Sequence, residues 1–242
     1  MTKGIGRIFI GLVLAVSLAA CDSSASEQAT EAADPSADPT ADMDVPVMGE
    51  PVNVLAFGDS LFAGYGVDQA EAYPAILQNA LRAKGINAAV TNAGVSGDTT
   101  AAGLQRFAFT LDAQETQPDL VIVELGGNDL LRGLSPDETR ENLDAMLAEL
   151  KKRDIDALLM GMRAPPNYGP EFQAKFDGLY GDLAKQYDAD LVPFFLESIY
   201  RSPELFQSDR IHPTPEGIEQ LVAATLETVE GALPVSGPEK AE

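Results

Sequence analysis

Val52-Asn53-Val54-Leu55-Ala56-Phe57-Gly58-Asp59-Ser60 is the stretch from which the rest of the chain can be read. Its short, mostly apolar run ends on a glycine, as a strand buried on both faces does. Leu120 to Leu125, closed by Gly126-Gly127, repeats the pattern more strongly. Ala88 to Val90, Ala157 to Met162 and Leu191 to Pro193 are shorter versions. Between these runs the apolar spacing changes. Tyr73, Ile76, Leu77, Ala80 and Leu81 follow a helical stripe that stops at Lys84-Gly85. Leu104, Phe107, Ala108 and Leu111 form another, ended by Pro118.

The later helices announce their starts. Ser135-Pro136-Asp137-Glu138 offers a capping serine, a proline at the first helical position and a glutamate three after the cap. Leu143, Met146, Leu147 and Leu150 give that helix its buried face. Glu171 to Tyr187 reads as the next helix. Thr214-Pro215 opens the last one, with Ile218, Leu221, Val222 and Val229 facing inward. Strands alternating with helices predict an α/β domain, residues 51–242, with a five-stranded parallel sheet covered on both faces. Ligands of such sheets bind beyond the carboxyl ends of the strands.

Residues with chemical capacity gather at those ends. Ser60 follows strand one, Gly97 lies in Gly94-Val95-Ser96-Gly97-Asp98 after strand two, and Asn128 follows strand three in Gly126-Gly127-Asn128-Asp129. A serine hydroxyl needs a base to become a nucleophile, and His212 is the only histidine of the chain. Asp209 stands three residues before it, close enough to hold the ring in one tautomer. Singly, each has a plainer reading: Ser60 as a helix cap, Gly97 and Asn128 as turn residues, His212 as a surface histidine. The prolines of Pro213-Thr214-Pro215 favour a fixed loop for His212.

The ends of the chain read differently. Lys3 and Arg7 precede an apolar stretch from Ile8 to Ala19, too short for a comfortable bilayer span, so residues 1–20 are expected to be a secretory signal peptide. Leu18-Ala19-Ala20-Cys21 resembles the lipobox of bacterial lipoproteins, which makes Cys21, the only cysteine, the expected lipidation site. An ordinary signal with an incidental cysteine is the alternative. Residues 22–50 hold eight Asp or Glu and no Lys or Arg, among Ala, Ser, Thr and Pro. Such a composition is expected to be a disordered tether, spanning about 30 Å as a flexible coil. The formal net charge of −22 argues against nucleic acid as partner. With one cysteine and one histidine, neither a disulfide nor a Cys/His zinc site can form within the domain.

Taken together and in order, Phe57-Gly58-Asp59-Ser60, Ser96-Gly97-Asp98-Thr99, Val123-Glu124-Leu125-Gly126-Gly127-Asn128-Asp129 and Asp209-Arg210-Ile211-His212 resemble the SGNH subgroup of GDSL hydrolases. Pro166-Asn167-Tyr168-Gly169 and Leu191-Val192-Pro193-Phe194-Phe195 narrow the likeness to its bacterial thioesterase, lysophospholipase and arylesterase branch. The resemblance implies a three-layer α/β/α fold with a flavodoxin-like parallel sheet. It implies Ser60 as nucleophile, His212 as general base and Asp209 as orienting carboxylate. The oxyanion hole would come from the Ser60 and Gly97 N–H groups and the Asn128 amide. It implies hydrolysis of aryl esters, lysophospholipids and acyl thioesters through an acyl-enzyme, without metal or organic cofactor. The chain is expected to be a monomer. Leu130-Leu131 departs from the branch by making the loop after Asn128 apolar. Two other functions compete: a carbohydrate or cell-wall O-acetyl esterase, disfavoured by the absence of tryptophan, and a non-catalytic binding lipoprotein, which would be expected to have lost a reactive residue. The expected location is the cell envelope, lipid-anchored on the periplasmic face, with the leaflet open.

Overall fold

The computed structural model describes residue 47 and residues 49–234 of the chain. The expected signal peptide, Cys21 and the acidic segment up to residue 46, with residue 48, lie outside the described residues.

The chain alternates strictly. Strand β1 (Val52–Gly58) leads into a single helical turn, α1 (Ser60–Ala63), and then helix α2 (Tyr73–Ala83). Strand β2 (Ala88–Gly94) precedes α3 (Thr100–Asp112), and β3 (Leu120–Glu124) precedes the short α4 (Gly127–Leu131) and the long α5 (Pro136–Arg153). Then come β4 (Asp156–Met160), α6 (Pro170–Tyr187), β5 (Asp190–Val192) and α7 (Pro215–Ala232). All five strands are parallel, in the order β2-β1-β3-β4-β5. Helices α2 and α7 pack on each other, while α3 packs on α5 and α5 on α6. This is the three-layer α/β/α fold with the strand order expected from the resemblance.

Burial explains which strands could be read from the sequence. Every residue of β3 is buried, and in β1 only Asn53 is partly exposed, because both strands have neighbours on either side and helices above and below. Strand β2 is an edge with mixed burial, and it continues four residues past the expected Val90 through Thr91-Asn92-Ala93-Gly94. Paired on one side only, it does not need an apolar sequence to persist. Strands β4 and β5 are each displaced slightly toward the N-terminus of their expected spans. Ser135 caps α5 as expected, but its hydroxyl accepts from the Asp137 N–H at 3.2 Å, two residues on, with no reciprocal bond from Glu138 described.

The chain runs outward from β1 to β2 and then returns across β1 to β3. The switch point therefore lies between the carboxyl ends of β1 and β3, where an open parallel sheet leaves a crevice. Gly58 pairs with Gly94 on one side and Glu124 on the other, so the loops carrying Ser60, Gly97 and Asn128 leave the sheet level with one another.

Candidate active site

Asp59 turns the chain from β1 into α1. Its Oδ1 accepts from the Leu61 N–H at 3.0 Å, which caps the helix and presents Ser60 at the first helical position. Gly94 makes room for this turn, because a Cβ there would lie 2.3 Å from Ala63 N. Asn92 Nδ2 also donates to Phe62 O at 2.8 Å, pinning α1 to the edge strand.

His212 comes from a loop late in the chain, before the last helix. Residues 206–213 form a tight loop closed by an antiparallel bridge between Phe206 and Pro213 and by Gln207 N–H to His212 O at 2.8 Å. Within it Arg210 takes φ +59, a left-handed turn that brings Asp209 and His212 to the same side. Asp209 Oδ1 accepts from the N–H groups of Ile211 (2.9 Å) and His212 (3.1 Å). Its Oδ2 lies 2.6 Å from His212 Nδ1, and His212 Nε2 lies 2.8 Å from Ser60 Oγ. An ionised carboxylate only accepts, so Nδ1 carries the proton and Nε2 is left to accept from the Ser60 hydroxyl. The bond to His212, helped by the two backbone donors, holds the Asp209 carboxyl at about 2, below its ordinary 3.8.

Tyr65 stacks on the His212 ring with centroids 4.2 Å apart at 29°. Gln207 Nε2 donates both to Tyr65 O (2.8 Å) and to Pro213 O (2.9 Å), joining the loop after Ser60 to the loop of His212.

Asn128 sits in the first turn of α4, and its Nδ2 donates to Asp59 Oδ2 at 2.8 Å. Helix α4 is anchored by the buried Asp129, whose carboxylate accepts from the Thr100 N–H at 2.8 Å and the Thr139 hydroxyl at 3.2 Å. Gly97 adopts φ +86, a conformation that suits glycine. Its carbonyl accepts from Arg132 Nη2 at 2.8 Å, so the residue after α4 fixes the turn after β2. Next to it, Asp98 pairs with Arg106 Nε at 2.7 Å, and Arg106 Nη2 donates to Gly58 O at 3.0 Å.

The structure thus joins Ser60, His212 and Asp209 by direct bonds. It links Asn128 to the serine turn through Asp59, and Gly97 to α4 through Arg132. Tyr65, Arg132, Gln207 and the buried acids Asp59 and Glu124 are additions to the sequence reading. Asp59 and Glu124 stood in the quoted motifs, but without a role. Burial raises the carboxyls of both Asp59 and Glu124, the latter well above its ordinary value, and Glu124 is also raised by the charge of Asp59. Of the six large hydrophobic side chains that are exposed among the described residues, Tyr65, Val95, Leu131 and Ile211 lie in the four segments that carry the site residues. These segments therefore expose apolar side chains.

Residues 56–219 match the GDSL-like lipase/acylhydrolase family. Thioesterase 1/protease 1/lysophospholipase L1 of Escherichia coli K12 is 42% identical over 160 residues, covering 66% of this chain and 74% of that protein. An arylesterase of Vibrio mimicus is 41% identical over 176 residues, 72% of this chain and 87% of its own. The crystal structure of AlinE4, an SGNH-hydrolase family esterase, superposes with a TM-score of 0.66 at 63% identity, covering 78% of this chain and 100% of that one. AlinE4 has also been solved with one serine and with one aspartate changed to alanine. Those two positions are as far apart along its chain as Ser60 and Asp209 are here.

Proposed function

The chain belongs to the GDSL-like lipase/acylhydrolase family, and on that premise we propose that it hydrolyses carboxylic esters and thioesters with Ser60 as nucleophile. The observation that carries this is the chain of bonds from Asp209 through His212 to Ser60, at 2.6 and 2.8 Å. Ser60 Oγ attacks the acyl carbon while His212 Nε2 takes its proton, and Asp209 stabilises the imidazolium that forms. The carbonyl oxygen becomes an oxyanion, which receives hydrogen bonds from the Ser60 and Gly97 N–H groups and from the Asn128 amide. Collapse expels the alcohol or thiol, which takes the proton from His212 and leaves the acyl group on Ser60. Water, deprotonated by His212, then attacks the acyl-enzyme, releases the carboxylic acid and restores the serine.

The exposed apolar side chains Tyr65, Val95, Leu131 and Ile211, in the segments that carry the site residues, favour substrates with an acyl chain over compact sugar acetates. The names of the relatives point the same way: thioesterase, lysophospholipase and arylesterase. The test is hydrolysis of aryl esters of increasing chain length, acyl-coenzyme A thioesters, a lysophospholipid and an acetylated glycan, by wild type and Ser60→Ala. Wild type should prefer the acyl chains, and Ser60→Ala should lose about 10⁴-fold or more on each. A Ser60→Ala protein keeping a tenth of wild-type turnover refutes the nucleophile, and a preference for the glycan refutes the substrate class.

Residues 51–242 would act as the catalytic domain, held at the cell envelope by a lipid on Cys21 after removal of residues 1–20. Leu18-Ala19-Ala20-Cys21 and the acidic segment behind it support this part of the proposal. The mass of the protein extracted from membranes tests it: a mature N-terminus other than Cys21, without lipid mass, rules the anchor out.

A further inference from the structure

Two carboxyl groups lie buried behind the nucleophile. Asp59 is 2% exposed and Glu124 0%. Asp59 N–H donates to Glu124 Oε2 at 3.4 Å, and neither acid has a salt-bridge partner among the described residues. Arg106 reaches the carbonyl of Gly58, but its Nε is committed to Asp98. Two adjacent carboxylates without a cation cannot both stay ionised in a dry interior, so the pair must hold a proton.

The hydrogen bonds say where that proton is. Asp59 has a good donor on each oxygen: the Leu61 N–H on Oδ1 at 3.0 Å and the Asn128 amide on Oδ2 at 2.8 Å. Glu124 has only the long bond from Asp59 N–H on Oε2, and its Oε1 is buried with no partner. Donors stabilise a carboxylate, and a bare oxygen penalises one. Asp59 is therefore the anion and Glu124 the acid. The other titratable groups nearby do not alter this. Tyr180 donates to Leu125 O, Asp129 is held by Thr100 and Thr139, and His212 acts on Asp59 from across Ser60.

We propose that Glu124 is a positioning residue: as a protonated, neutral carboxyl it keeps Asp59 the single anion behind the nucleophile, and Asp59 fixes the orientation of the Asn128 amide. An amide can present either N–H or C=O to a neighbour. An ionised Asp59 accepts only, so it holds the NH₂ end of Asn128 toward itself, and the second amide hydrogen is left for an oxyanion. Were Asp59 neutral, the Asn128 amide could turn over and set a carbonyl where a donor is required. The kinetic consequence rests on the assignment of Asn128 under Proposed function; the protonation of Glu124 does not.

Two isosteric variants and one spectrum test this. Glu124→Gln imitates the neutral acid and should keep kcat within about threefold of wild type. Asp59→Asn can offer Asn128 a donor, and should lose about 10²-fold in kcat with little change in KM, as for loss of an oxyanion donor. Infrared difference spectra at neutral pH should show a buried protonated carboxyl in wild type that disappears in Glu124→Gln. Absence of that band from wild type overturns the proposal, and this measurement depends neither on the folding of a variant nor on the identity of the nucleophile. A Glu124→Gln protein as impaired as Asp59→Asn, or an Asp59→Asn protein with wild-type kcat, overturns it as well.

Discussion

Gly94→Ala is a small change with a calculable reach. The added Cβ would stand 2.3 Å from Ala63 N, 2.7 Å from Phe62 C and 2.9 Å from Ala63 Cα, all backbone atoms that no rotamer change can move. Unbonded heavy atoms settle near 3.5 Å, so β2 and α1 must separate by about 1 Å. Strand β2 is held to β1 along its whole length, from Val52↔Ala88 to Gly58↔Gly94, whereas α1 is one turn of four residues. The helix is the element that gives way, and it begins with Ser60. A shift of that size carries Ser60 Oγ, now 2.8 Å from His212 Nε2, beyond the usual range of a hydrogen bond. A misplacement of about 1 Å costs on the order of 10²-fold in rate, and overpacking costs about 1–3 kcal/mol of stability. Turnover of an aryl acetate at saturating substrate, beside a thermal melt, measures both. We expect kcat about 10²-fold lower in a protein that still folds and melts a few degrees earlier. A variant with a lowered melting temperature and wild-type kcat would show that the clash is absorbed without moving Ser60, and the reasoning would fail.

Four further outcomes are expected. Asn128→Ala should lower kcat about 10²–10³-fold with KM nearly unchanged, and should cost about 1–3 kcal/mol of stability by leaving Asp59 Oδ2 buried without its donor; a raised KM with unchanged kcat would mean that Asn128 serves binding. Tyr65→Ala should slow turnover about two- to fivefold by removing the aromatic face from the imidazolium, whereas Tyr65→Phe should not; equal losses in the two variants would refute a role for the stack. The Asp209 carboxyl, held at about 2, stabilises the fold fully above its ordinary 3.8 and loses that contribution as pH falls toward 2. The difference in melting temperature between wild type and Asp209→Asn should therefore hold from neutrality to about pH 4 and close below it; a gap that widens in acid contradicts the assignment. Cys21→Ser should release the protein from membrane fractions or leave it unprocessed, because each buried lipid methylene contributes about 0.8 kcal/mol; unchanged membrane retention with normal processing would count against the lipid anchor.

The sequence by itself determined the layering of the fold and marked the candidate reacting groups. Central strands such as Leu120–Glu124 are buried on both faces, so burial wrote an apolar run, here Leu120 to Val123, into neighbouring positions. The cap and stripe of α5 are equally local, set by residues within two turns of one another. Ser60, Asn128, Asp209 and His212 were legible because each reactive group stands in a short segment whose neighbours shape its turn. Where local pattern was thin, the reading stopped. The outer half of β2 needs no apolar sequence because it pairs on one side only, and α1 and α4 are too short to show a helical period.

Only the tertiary structure decided how these groups act on one another. Ser60 and His212 are 152 residues apart, and Asp59 and Glu124 are 65 apart. The stack of Tyr65 on His212, the Arg132 bond to Gly97 and the closeness of Glu124 to Asp59 all depend on which strand lies beside which. A hydrogen bond or a repelled charge is decided over a few ångströms and in a particular dielectric, and neither quantity exists along a chain until β1, β3 and the last loop have been brought together.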